Sequence, residues 1–274
     1  MKFGVAIRNM GPQSTRETVT ACAQIAERNG FDGLFLSDHL AVPPDQTEGS
    51  MGRYLDALTT LAFVAGITTR IRLGVSVLIL PYRPAVLTAK QIATVQELSG
   101  GRMILGAGVG WMTGEFEALG VDSRQRGALT TETLRVIHHL FETEAAPYSG
   151  ELVRFPAFVF LPRPTRPPIW IGGSGPAAVA RVLEFGDGWH PMLAPAELKP
   201  AVTALAEKAR AAHRQPPEIV VRRGLKLEDL AVDRERIRAD QQAGATYFIF
   251  DPGRYADPAE FARRVEIFTG RIAS

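Results

Sequence analysis

Between Arg70 and Gly110 the chain reads as strand, helix, strand, and this stretch limits what the rest can become. Arg72 to Leu80 (RLGVSVLIL) is apolar and β-branched, and Arg102 to Gly108 (RMILGAG) is a second apolar run. A strand with one wet face alternates apolar with polar residues, whereas near-continuous apolar runs belong to parallel strands covered on both faces. Parallel neighbours need a crossover of a dozen or more residues. Here the crossover is helical, with Pro84 suited to its first position and Gly100-Gly101 to its exit. The stretch is a βαβ unit.

The same alternation runs through the chain. Phe3 to Ile7 is a strand, and Ser14 stands at capping-box spacing from Glu17 before a helix that ends at Asn29-Gly30. Gly33 to Ser37 is the second strand; a polar loop, Pro43 to Tyr54, precedes a helix with Leu58, Leu61 and Ala65 on one face. Beyond Gly110, Trp111 to Gly127 is irregular, and Leu134, Ile137 and Phe141 then recur in helical register. Tyr148 to Phe160 reads as a small hairpin and Ile169-Trp170-Ile171 as a strand, with a helix from Pro176 to Gly186. A very short strand in DGWHP (187–191), a helix with Leu198, Val202 and Leu205, a strand Glu218 to Arg223 and a helix Asp233 to Ala243 follow. Thr246 to Asp251 is the last strand, and Asp257-Pro258 caps a helix that turns Phe261, Val265 and Phe268 inward.

That makes about eight strand–helix pairs. Repeated crossovers of one hand curl a parallel sheet closed, so the expected fold is α/β, a (β/α)8 TIM barrel with loop insertions. A doubly wound open sheet is the alternative. With 274 residues, 46% of them hydrophobic, the chain suits one large core, and residues 1–274 are expected to form a single domain. The loops after strands, Pro43–Tyr54 and Trp111–Gly127, belong at the top, where barrel active sites lie; the hairpin, in a helix-to-strand connection, belongs at the bottom.

Composition excludes more than it selects. There are 31 basic and 29 acidic residues, net charge +2, with no basic stripe for nucleic acid. Cys22 stands alone, which rules out an internal disulfide and makes a reducing cytoplasm the simplest setting. The apolar run after Lys2 is too short for a signal peptide, and no stretch approaches the roughly 20 apolar residues of a membrane span. No cluster has metal-ligand spacing, no lysine lies within a strand end as a Schiff-base former would, and no Ser–His–acid set is visible locally.

Two stretches carry chemistry. Gly172-Gly173-Ser174-Gly175-Pro176 joins a strand end to a helix start, where free N–H groups and the positive end of the helix favour an anion, most often phosphate; a tight turn before a capped helix is the plainer reading. Asp38-His39 follows the second strand. Adjacent strand residues point opposite ways, so the two are not expected to enter one pocket. A histidine at a strand top could supply a proton, and a satisfied structural histidine is equally open. His190 takes the same reading more weakly, while His138 and His139 lie within a helix. Gly106, Gly108 and Gly110 have the wrong spacing for a dinucleotide fingerprint, and no helix opens directly after them, so they are read as keeping the barrel mouth open for a flat ligand.

The stretches LFLSDHLAVPP, RIRLGVSVLILPYRPAVLTAKQIATVQELSGGRMILGAGVGWMTGEFEALGV and PIWIGGSGPAAVARVLEFGDGWHP, in this order, resemble the luciferase-like family of flavin and deazaflavin oxidoreductases, nearest its coenzyme F420-dependent branch. The resemblance covers nearly the whole chain. It implies a (β/α) barrel with the ring across its top, over a non-proline cis peptide that maps onto Ser76–Val77. It assigns Asp38, Ser76, Val77, Gly108, Val109, Gly110 and the phosphate loop Gly172 to Pro176 to the cofactor. His39 is implied to face ring and substrate and to act as proton donor in a hydride transfer with a small organic molecule. Coenzyme F420 is the expected cofactor and FMN the alternative; the alternative functions are a reduced-FMN monooxygenase on the same barrel and a flavin- or deazaflavin-binding protein without turnover. The resemblance also implies a homodimer, with Ala85 to Leu98 as a candidate surface. The chain departs from the branch where some F420-dependent dehydrogenases carry a glutamic acid directly after the strand-four glycines: here that residue is Trp111, and Glu115 comes later. Ala57 also stands where close relatives often have proline.

Overall fold

A computed structural model describes residues 1–144 and 146–272. Eight parallel strands close into a barrel: β1 (Lys2–Ala6), β2 (Gly33–Leu36), β3 (Arg72–Ile79), β4 (Met103–Gly108), β7 (Ile169–Gly172), β8 (Gly188–His190), β9 (Glu218–Gly224) and β10 (Tyr247–Asp251). They pair in chain order, and β10 returns to β1. The connections carry α1 (Arg16–Arg28), α2 (Ala57–Ala65), α3 (Ala85–Leu98), α4 (Thr113–Ala118), α5 (Arg126–Glu142), α6 (Pro176–Phe185), α7 (Pro195–Ala211), α8 (Leu230–Gln242) and α9 (Pro258–Arg271). This is a (β/α)8 TIM barrel. Two-residue strands β5 (Tyr148–Ser149) and β6 (Arg154–Phe155) form the expected hairpin between α5 and β7.

Apolar side chains fill two layers. The barrel interior holds Ala6, Phe35, Ile104, Trp170, Val220, Tyr247 and Ile249, with Phe35 stacked on Trp170 at 5.3 Å and Trp170 edge-on to Tyr247 at 4.8 Å. Rings this large fit because their neighbours are small: a Cβ on Gly74 would lie 2.5 Å from Phe35. The outer layer packs the strands' other faces on the helices, and Leu58, Leu61 and Ala65 of α2 are buried there as their spacing requires.

Three local expectations fail. Trp111 to Gly127 contains α4 and a turn of 3-10 helix at Ser123–Gln125, too short for periodicity to reveal. The cap of α1 is Thr15, whose hydroxyl accepts from Thr18 N–H, while the Ser14 hydroxyl donates to Gly11 O. Pro84 is the N-cap of α3 rather than its first residue. Cys22 is fully buried in α1, and burial pushes its thiol up to about 12. Among the described residues no helix is long and apolar enough to cross a membrane.

Candidate active site

The strand ends at the top of the barrel surround a cavity of about 1030 Å3, at the upper end of what small-molecule sites enclose. Its walls include His39, Ser76, Val77, Gly108, Gly173 and Arg222. Of the residues assigned to the cofactor, Asp38, Ser76, Val77, Gly108, Val109, Gly110, Gly172 and Gly173 reach it; Ser174, Gly175 and Pro176 do not line it.

Asp38 and His39 both border the cavity, against the expectation that the two do not share a pocket: β2 ends at Leu36, so strand alternation no longer governs them. The Asp38 carboxylate is buried and fully engaged: it accepts from Ile79 N–H at 2.9 Å and from both terminal nitrogens of Arg83 at 2.8 Å, while Arg83 also reaches Asp56 at 2.7 Å. Asp38 therefore ties β2 to the end of β3, and its carboxylate does not offer itself to a ligand.

His39 faces the cavity against an acid that sequence spacing does not place. Its Nδ1 is 2.7 Å from Oε2 of Glu115, on α4. Tyr82 O–H donates to the same oxygen at 2.8 Å, and the N–H groups of Ala41 and Leu40 donate to the other. Burial pushes the Glu115 carboxyl up, but the hydrogen bonds from His39, Ala41, Leu40 and Tyr82 outweigh it and hold the group at about 2. An ionised Glu115 only accepts, so the His39 proton sits on Nδ1 and leaves Nε2 toward the cavity. Tyr54 and Trp111 lie edge-on to the imidazole at 5.1 and 6.2 Å. Trp111 is 68% exposed, at the rim. Glu115 is fully buried between Met112 and Phe116, themselves buried, in a helix too short for its period to show in the sequence.

The far wall is the middle of β3. The Ser76–Val77 peptide is cis, and the pairing of β3 with β4 shifts register between Val75 and Leu78. The β4 glycines answer to this bulge rather than holding the mouth open: a Cβ on Gly106 would stand 2.1 Å from Val75 O, and one on Gly108 2.3 Å from Val77 Cγ2. Spacing in one strand gives no sight of a neighbour's irregularity.

Under the cavity runs a polar floor whose members, except Ser76 and His190, sequence reading passed over. Ser76 Oγ is 2.8 Å from Nε2 of His190, and His190 Nδ1 is 3.1 Å from Val220 O. Arg222 Nη1 donates to Ser76 O at 3.2 Å and Ser37 Oγ at 3.3 Å, while its Nε and Nη2 donate to Asp251 at 3.0 and 2.7 Å. Two arginines following the apolar run Ile219 to Val221 of β9 were the signal. Burial, with Arg222 and Arg223 close by, pushes His190 down to about 4.

At the third side, Gly173 takes φ +108°, a conformation that side chains resist, and its backbone is held by Trp189 Nε1 donating to its oxygen at 2.8 Å and by its own N–H donating to His190 O. Gly175 caps α6 with no side-chain hydrogen bond, which leaves this helix start open to an acceptor. Among the described residues no group of three potential ligands could hold a metal ion.

The sequence model of a family described as luciferase-like monooxygenase matches residues 1–271. The F420-dependent glucose-6-phosphate dehydrogenase of Nakamurella multipartita is 34% identical over 223 residues, covering 76% of this chain and 63% of that protein. Among solved structures, monooxygenase RslO1 from Streptomyces bottropensis superposes with a TM-score of 0.86 at 20% identity, covering 100% of this chain and 99% of that one. An F420-dependent secondary alcohol dehydrogenase in complex with an F420-acetone adduct superposes at 0.84 and 17% identity, covering 99% and 98%. Both share the barrel with this chain.

Proposed function

This chain belongs to the luciferase-like monooxygenase family, and from that premise we propose that it is an oxidoreductase that uses coenzyme F420 to move a hydride to or from a small organic substrate. The observation that carries the reading is that one cavity is bordered by the β3 bulge at Ser76–Val77, by Gly172 and Gly173 just ahead of α6, and by His39, which Glu115 holds from behind. The relative with the F420-dependent dehydrogenase activity supports the choice of cofactor.

The residues fit such a group. The glycines of β4 make room for the β3 bulge that borders the cavity, and Gly172, Gly173 and the uncapped α6 suit a phosphate diester. When bound, the deazaflavin supplies hydride chemistry. The chain supplies position and protons. Val77, Gly108 and Val109 form the apolar wall that keeps water from the reacting face. His39 exchanges a proton with substrate through Nε2, because Glu115 occupies Nδ1. Trp111, at the cavity rim edge-on to the imidazole, borders the substrate's side of His39.

Titration with F420 and with FMN, followed by visible absorbance, tests the assignment. F420 should bind more tightly. Tight FMN binding with none of F420 would replace this reading with a reduced-FMN monooxygenase, which the family's description favours. Turnover of the reduced cofactor with a panel of enones then separates an enzyme from a carrier.

A further inference from the structure

We infer that His190 is a positioning residue for the cofactor site: it accepts the hydrogen bond of the Ser76 hydroxyl, so that this hydroxyl meets the ligand as an acceptor only and the ligand must present an N–H or O–H to it. The argument is one of hydrogen-bond inventory. Val220 O can only accept, so the His190 nitrogen 3.1 Å from it, Nδ1, carries the hydrogen. In a neutral imidazole the other nitrogen is then bare. That nitrogen, Nε2, is 2.8 Å from Ser76 Oγ, and the hydroxyl must donate to it. Neutrality follows from the surroundings: His190 is 8% exposed, burial holds it at about 4, and Arg222 and Arg223 oppose a further positive charge.

The other end of Ser76 is fixed too. Arg222, itself gripped by Asp251, donates to the Ser76 carbonyl. With its proton committed to His190, the Ser76 hydroxyl has only lone pairs left for the cavity that Ser76 lines. The complementary ligand group is a donor such as the imide N–H of a flavin or deazaflavin pyrimidine ring, a step that rests on the cofactor reading above. Neither His190 nor the donor requirement is visible from Ser76 alone, because a free serine hydroxyl serves either partner.

The two parts are tested separately. In the ligand-free protein at pH 7, histidine 15N NMR should show His190 with a protonated Nδ1 and a bare Nε2; an Nε2–H tautomer or an imidazolium would overturn the inference whatever the cofactor is. Binding of oxidised F420, read by absorbance, should weaken about three- to tenfold in His190→Leu, the worth of one neutral hydrogen bond. His190→Gln, whose amide keeps one donor and one acceptor, should stay within about twofold of wild type. Ser76→Ala should weaken binding at least as much as His190→Leu, and the double variant no further than Ser76→Ala; if His190→Leu fails to fold, Ser76→Ala carries this arm. Wild-type affinity in Ser76→Ala, or in both His190 variants, would remove the positioning role. A wild-type protein that binds neither F420 nor FMN would sink the cofactor reading and the donor requirement with it, while the NMR result would still decide the Ser76–His190 geometry.

Discussion

Replacing His39 and Glu115 in turn separates chemistry from positioning. His39→Ala should cut turnover by about 10²- to 10⁴-fold, the usual worth of a general acid or base, with little change in cofactor affinity. A loss below about threefold would return His39 to a structural role. Glu115→Gln probes the support. Both oxygens of Glu115 face donors, so the new amide N–H must point at one of them, and the cost should be about 1–3 kcal/mol in urea denaturation along with reduced turnover. The sign of the pH dependence follows from the depressed carboxyl. Folding holds Glu115 at about 2 where the ordinary value is 4.5, so the unfolded chain takes up the proton first as pH falls. The contribution of Glu115 is complete above about pH 4.5 and lost as pH drops toward 2. Across that window the wild-type urea midpoint should fall more steeply than that of Glu115→Gln; parallel slopes would refute the assignment. His39 could be picked out of the sequence because a strand end announces itself locally. Glu115 could not, since its partner lies 76 residues away and only packing brings α4 over the β2 loop.

Strands and helices were legible where their pattern is long. The apolar runs of β3 and β4 and the stripe of α2 needed no partner to be read, while α4, with six residues, had too few turns to show a period. Ser14 and Thr15 are both capping residues, and the choice between them falls to Arg53, whose Nε donates to the Ser14 hydroxyl. The β4 glycines make a sharper case. Gly106→Ala would drive a Cβ against the Val75 carbonyl, backbone that cannot swing aside. Overpacking of this kind costs about 1–3 kcal/mol. The urea midpoint should fall accordingly, and F420 affinity should fall with it because β3 must shift. Gly101→Ala, at a position with open space around it, separates the two effects: its φ of +85° costs stability, and cofactor affinity should hold. Equal cofactor affinity in both variants would show that β4 does not shape the site.

For the molecule as a whole, alternation narrowed the fold to a closed barrel or a doubly wound open sheet, and the pairing of β10 with β1 decides for the barrel. What lay beyond reach was the polar floor, whose groups come from β2, β3, β8, β9 and β10 and meet only once the barrel has closed. Association is a separate question. We expect a homodimer that covers α3, where Leu87 and Leu98 are 50% and 63% exposed. Light scattering at micromolar concentration should give twice the chain mass, and a monomer would count against it. Closure itself has a further consequence. Every barrel strand has a neighbour on each side, so the open sheet edges among the described residues belong to β5 and β6, two residues long apiece. Edges that short make poor templates for a second chain. Aggregation on storage must therefore wait until a seam such as β1–β10 parts, and its pace should track the rate of that opening rather than the amount of folded protein in the tube.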